Sequence, residues 1–83
     1  MSSTFYVSKR SVNIAGRLTS ISLEDEFWRE LRRLADRQDM PLGNFLADID
    51  RNRRAAGIAT LSSAIRVHVV KELMARAGVD HVS

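Results

Sequence analysis

Few side chains in this sequence have the types and spacing that catalysis or metal binding requires. The sequence contains no cysteine, which excludes thiolate zinc sites and disulfides. The two histidines, His68 and His81, lie thirteen residues apart. Asp48 and Asp50 would diverge on a helix, and arginines follow them closely. We therefore expect a protein that is not an enzyme and that uses no metal or other cofactor.

Positive charge is concentrated near the N-terminus. Lys9, Arg10 and Arg17 lie within the first 23 residues, a segment without any acidic residue, whereas residues 24–59 carry eight acids and seven arginines. A basic segment without acids is a candidate surface for an anion such as the phosphate of a nucleic acid. The alternative is a solvated segment that touches nothing, and the charges alone leave both interpretations open.

The best strand pattern lies over residues 18–23. Leu18, Ser20 and Ser22 alternate there with larger or β-branched residues, which is the period of two that a strand requires. These three side chains would point away from a core, and their neighbours in the sequence would point toward it. This pattern predicts the main strand of the domain.

The residues before this strand are harder to assign. Val12 and Ile14 also alternate, but on even numbers, so one regular strand cannot bury them together with the odd-numbered residues of 18–23. Gly16 lies between the two runs and is expected to form a bulge or bend. We expect a separate extended piece over residues 12–15 and a flexible basic arm over residues 1–11.

Three helices are predicted after the strand, with the whole of residues 12–77 forming one domain. The first follows Leu23 with Ser22 as a possible cap, the second begins near Pro41 and stops before Gly57, and the third covers about residues 61–77. The third helix has apolar residues on several faces, so it is expected to be buried on several sides. Residues 78–83 are expected to form a C-terminal tail.

A lone strand leaves backbone N–H and C=O groups without partners. A hairpin with residues 12–15 is possible, but Gly16 and Arg17 match a two-residue turn poorly. Pairing with the same strand of a second copy is the simpler solution, and it predicts an intertwined homodimer. A two-stranded ribbon of this kind fits the major groove of B-DNA.

Three stretches of the sequence resemble a known family. They are residues 17–24 (RLTSISLE) followed by Phe27, Trp28 and Leu31, then residues 46–51, and then residues 61–67 (LSSAIRV). In this order they resemble the ribbon-helix-helix family of the Arc and MetJ type, and in particular a bacterial subgroup with the same three elements. The resemblance covers roughly residues 12–73, and it implies a mainly helical chain with one short strand, an additional C-terminal helix and a homodimer.

The resemblance also implies roles for individual positions. Base contacts are expected from Arg17, Leu18, Ser20 and Ser22. Phosphate contacts are expected from Lys9 and Arg10 and from the backbone amides that open the second helix, at Leu42, Gly43 and Asn44. The dimer core is expected to contain Ile21, Leu23, Phe27, Trp28, Leu31, Phe45, Ile65 and Val69.

The function that follows is that of a sequence-specific DNA-binding regulator, expected to be a repressor that binds double-stranded DNA as a homodimer or as a higher oligomer. The alternative is an antitoxin-like or other interaction module, in which the same core serves as a scaffold for a protein partner. No apolar run is long enough to cross a membrane, and the N-terminus does not resemble a signal peptide, so a cytoplasmic location is expected.

Overall fold

The computed structural model describes residues 6–78. Two strands precede three helices: β1 (Val7–Ile14), β2 (Arg17–Glu24), α1 (Asp25–Arg37), α2 (Leu42–Ala56) and α3 (Leu61–Arg76). The chain is therefore mainly helical, with a small sheet at the start and an additional helix at the end, which confirms the predicted fold class at this level. It has two strands, however, where one was expected.

The strand predicted over residues 18–23 pairs within its own chain. β1 and β2 form an antiparallel two-stranded sheet in which Val12 lies opposite Thr19 and Ile14 lies opposite Arg17. β1 takes the position expected for the strand of a second copy. The prediction of a flexible arm is wrong for residues 7–11, which belong to β1, whereas residues 1–5 lie outside the described part of the chain.

The change of parity at Gly16 marks a turn and not a bulge. Ala15 and Gly16 connect the strands with φ angles of 52° and 83°, and positive φ at both central positions is typical of a type I′ hairpin turn. The Asn13 side chain accepts a hydrogen bond from the Gly16 N–H at 3.0 Å. Because the strands are antiparallel, even-numbered residues of β1 and odd-numbered residues of β2 share one face.

This shared face packs against the three helices and forms the core. Of the residues expected in a dimer core, only Phe27 is half-buried, and the others lie in the core of a single chain: Ile21, Leu23, Trp28, Leu31, Phe45, Ile65 and Val69. These side chains are thus buried from solvent without a partner chain. The described chain supplies its own hydrophobic core, even though it is short.

The helix ends follow the local sequence with one exception. Gly57 ends α2 in the left-handed conformation, with φ of 76°, and the Thr60 hydroxyl accepts a hydrogen bond from the Ser63 N–H at 3.2 Å at the start of α3. The expectation that Ser22 caps α1 is wrong. Ser22 belongs to β2, where it lies opposite Lys9 of β1. The strand continues to Glu24, which directly precedes the helix.

Helix α3 packs on its own chain and is tied to it by two ion pairs. Arg66 Nε lies 3.0 Å from Glu24 Oε1, and an Arg76 nitrogen lies 2.6 Å from Glu30 Oε2. The hydrogen bond from Arg66 lowers the pKa of Glu24, and hydrogen bonds from Arg33 and Arg76 lower the pKa of Glu30. Each of these two carboxylates therefore stabilises the folded chain when it is ionised.

One side of α3 stays uncovered. Val67, Val70 and Leu73 are 43%, 45% and 41% exposed, whereas Ala64, Ile65 and Val69 of the same helix are buried. The helix is thus apolar on two sides, as its sequence predicted, but the described chain covers only one of them. Within residues 6–78, none of the helices combines the length and the apolar character needed to cross a membrane.

The turn provides a test of the hairpin. Ala15 has positive φ, which costs an L-residue with a Cβ about 1–2 kcal/mol, whereas asparagine before glycine suits a type I′ turn. We expect Ala15→Asn to raise the free energy of unfolding by about 1 kcal/mol, measured by urea denaturation. Ala55→Asn, on the exposed side of α2, is the matched control and should lower it by about 0.5 kcal/mol. Equal losses in both variants would contradict the turn.

Candidate nucleic-acid interface

The two faces of the β1–β2 hairpin, called the ribbon from here on, differ sharply. One face is covered by the helices. The other face is exposed between its two ends and carries there one basic, one apolar and four uncharged polar side chains, which together form the outward face: Lys9, Ser11, Asn13, Leu18, Ser20 and Ser22. The same side of the two strands ends in the exposed Val7 and the half-buried Glu24, which lie opposite each other. An exposed ribbon face with hydrogen-bonding side chains can approach another molecule without disturbing the core.

The structure places the predicted base-contacting residues on two faces. Leu18, Ser20 and Ser22 lie on the outward face, as their parity indicated, and Leu18 is 78% exposed. Arg17 is exposed, but it is an odd-numbered residue of β2 and so belongs to the covered face, directly opposite Ile14. The Arg17 side chain is therefore attached at the turn end of the ribbon, beside the outward face and not within it.

Half of the outward face comes from β1, of which the sequence had predicted only residues 12–15 as an extended piece. The register sets Lys9 opposite Ser22 and Ser11 opposite Ser20. Lys9 had been assigned to a phosphate contact from the arm, and the structure instead places it among the outward side chains. In the sequence, the alternation of Val12 and Ile14 is the signal for the end of β1, but the polar Ser8 and Arg10 at the earlier inward positions do not continue it.

Asn13 is a restricted member of this face. Its Oδ1 accepts the hydrogen bond from the Gly16 N–H, which uses one of the two lone pairs of that oxygen and fixes the orientation of the side chain. A bidentate contact between asparagine and adenine needs both the oxygen and the nitrogen of the side-chain amide. Asn13 can therefore contact an incoming molecule only in the orientation that the turn allows.

Arg10 lies at the other edge of the ribbon. Its guanidinium stacks over Trp28 at 5.2 Å from the ring centroid, and the Trp28 indole N–H donates to the Ser8 carbonyl oxygen at 2.9 Å. Arg29 and Arg32 of α1 line the same shallow depression. Trp28 thus holds an arginine beside the ribbon, and the same depression is lined by two further arginines and by Asp25.

The N-terminus of α2 meets the turn end of β1. Phe45 donates the first helical hydrogen bond, to the Pro41 carbonyl oxygen at 3.0 Å. Within the described residues, the amides of Leu42, Gly43 and Asn44 have no backbone acceptor. They are therefore free to bind an anion, which is the general property of a helix N-terminus.

Gly43 is required here by close packing. A Cβ at this position would lie 2.3 Å from the Asn13 carbonyl oxygen. The glycine therefore lets the start of α2 approach the backbone of β1 directly. This contact fixes the three amides relative to the ribbon.

The remaining chemistry of the described chain is sparse. Among residues 6–78, no three histidine, aspartate or glutamate side chains are grouped as metal ligands would be. His68 packs edge-on against the Phe45 ring at a centroid distance of 5.4 Å, and its Nε2 is buried without a hydrogen-bond partner in this part of the chain. Glu72 Oε2 lies 4.0 Å from this nitrogen, beyond hydrogen-bond distance.

Comparison with protein families gives one match. A family model described as a ribbon-helix-helix domain matches residues 7–73, which span both strands and nearly all of the three helices. No curated protein and no solved structure matches the chain. The matched region contains the whole outward face of the ribbon and the start of α2.

Gly43 provides a test of how the site is built. We expect Gly43→Ala to lower the free energy of unfolding by about 1–3 kcal/mol, because the added Cβ overlaps the Asn13 carbonyl oxygen. Thermal denaturation followed by circular dichroism measures the change. Asn44→Ala, at the exposed neighbouring position, is the control and should change the stability much less. If the two variants have the same melting temperature, α2 does not contact β1 in this way.

Proposed function

The chain belongs to the ribbon-helix-helix family, and from this premise we propose that it is a sequence-specific DNA-binding transcriptional regulator. The family supports DNA binding in general. The observation that carries the specific proposal is the outward face of the ribbon, which is exposed and polar while its opposite face is buried on the helices. A two-stranded antiparallel ribbon has the width that the major groove accepts.

The outward side chains match base edges by their chemistry. Lys9 can donate to the O6 and N7 acceptors of guanine, and the hydroxyls of Ser20 and Ser22 can donate or accept at any base pair. Leu18 at the turn end suits the methyl group of thymine. We propose these four residues as the base contacts, with Arg17 reaching the same duplex from the tip of the ribbon.

Phosphate contacts would orient the ribbon in the groove. The free amides of Leu42, Gly43 and Asn44 lie beside the turn end of β1, and Arg10 lies along its edge. Such contacts set the register of a protein on DNA but do not read its sequence. Together with the base contacts they support a repressor that acts by occupying an operator. The proposed location, which follows from the proposed binding of DNA and from the sequence resemblance, is the cytoplasm of a bacterium.

Family membership also supports a homodimer, although the ribbon itself does not require one. The exposed apolar surface of α3, formed by Val67, Val70 and Leu73, is the surface that best fits a contact with a second copy. An uncovered apolar stripe opposite a buried one is typical of a helix that packs on two sides. We propose that α3 pairs with α3 of a second copy, and that such dimers can bind side by side on DNA.

The DNA proposal is tested by selecting a preferred duplex from random sequences and measuring affinities by fluorescence anisotropy. Ser20→Ala is expected to reduce the preference for the selected duplex over a random one by about 1 kcal/mol, because one hydrogen bond to a base is lost. The control is Thr19→Val, which removes a hydroxyl from the covered face of the same strand and should leave the preference unchanged. Absence of duplex binding at low salt would overturn the proposal.

The dimer is tested by sedimentation equilibrium. Val70→Lys places a charge in the middle of the exposed stripe of α3 and is expected to weaken self-association at least tenfold, since an unpaired charge would be buried at the contact. Val7→Lys introduces the same charge at another exposed valine, on β1, and should leave association intact. A wild-type protein that stays monomeric at high concentration would rule out the α3 contact.

A further inference from the structure

A second basic surface lies beside β2, next to the outward face and away from the start of α2. It is an open groove of about 720 Å³ between the turn end of the ribbon and helix α2. Its charged lining consists of four arginines and one aspartate: Arg17, Arg51, Arg53, Arg54 and Asp50. The sequence had suggested only that the arginines of α2 neutralise the neighbouring aspartates.

The excess positive charge of the chain is concentrated in this groove. Its charged lining sums to +3, which equals the formal charge of the whole chain, so the charged residues elsewhere balance. A concave surface that concentrates charge of one sign attracts ligands of the opposite sign. The chemistry of the groove therefore points to an anion, and guanidinium groups match the geometry of phosphate oxygens.

The arginines differ in how far they are committed to other partners. Arg53 is half-buried, binds Asp50 at 2.7 Å and donates to the carbonyl oxygens of Ile58 and Ala59 at 3.2 and 3.3 Å. It therefore holds the segment between α2 and α3 in place. This arginine is a structural residue of the groove wall.

Arg51 and Arg54 are available to a ligand. Their side chains are 71% and 66% exposed, although Arg51 pairs with Asp48 and Arg54 lies 3.2 Å from Asp50. Exposed pairs of this kind stabilise a protein little, and each guanidinium keeps further N–H donors. Among residues 6–78, Arg17 has no carboxylate within 4.0 Å.

The groove is continuous with the ribbon, because Leu18 and Ser20 line it and also belong to the outward face. We infer that it holds the phosphate backbone of the same duplex whose major groove receives the ribbon, with Arg17, Arg51 and Arg54 on the phosphates. This inference rests on the proposed DNA binding and adds the backbone contacts on the β2 side. One binding event would then engage bases through the ribbon and phosphates through α2.

The test compares the salt dependence of DNA binding in two double variants. Arg51→Gln with Arg54→Gln is expected to reduce the slope of log affinity against log salt by about 2, since about 0.9 is lost for each phosphate contact on B-DNA. The loss should be the same on the selected duplex and on an unrelated one, because phosphates carry no sequence information. Arg33→Gln with Arg37→Gln removes the same charge from the exposed side of α1 and should keep the wild-type slope.

Two further variants keep the test decisive if the glutamine variant folds poorly. Arg51→Lys with Arg54→Lys retains the charge and should retain most of the slope, and Asp48→Asn removes a competing carboxylate and should tighten binding to both duplexes. If wild-type protein binds DNA but the α2 and α1 variants have equal slopes, the groove does not hold the backbone, while the proposed function stands. If wild-type protein binds no duplex, the proposed function fails, and this inference fails with it.

Discussion

The pairing of β1 with β2 is the interaction on which the rest of this structure depends. It gives one edge of β2 its hydrogen-bond partners within one chain, and it sets six side chains from two separate stretches of sequence on one exposed face. The same pairing turns Ile14, Ile21 and Leu23 toward the helices, so that the ribbon and the core are formed by one register. A slip of one residue would exchange the faces and expose these apolar side chains. The tight turn at Ala15 and Gly16 therefore determines both stability and the composition of the candidate interface.

Much of this arrangement could be predicted from local patterns. The period of two over residues 18–23 correctly identified which side chains of β2 point outward, and the apolar spacing with Gly57 and Thr60 located the second and third helices. These features depend on neighbours within a few residues. These features can therefore be predicted from residues that lie close together in the sequence.

The first strand could not be predicted in the same way, because polar residues occupy its inward positions. Ser8 and Arg10 face the helices where an apolar residue would normally alternate, and their partners come later in the chain. Trp28 donates to the Ser8 carbonyl oxygen and also supports the Arg10 guanidinium. The turn was missed as well, since alanine rarely takes the positive φ seen at Ala15. The arginines of α2 belong to a groove only because tertiary packing brings β2 beside them.

A complete ribbon in every chain changes the geometry expected of an assembly on DNA. When a ribbon is shared between two chains, one dimer inserts one ribbon into one stretch of major groove. Here a dimer would carry two ribbons, each with its own strands. Two ribbons on one side of a duplex must be spaced by about one helical turn, roughly 34–36 Å, or a multiple of it. The binding site would then consist of two separated half-sites, and each half-site would be read by one chain.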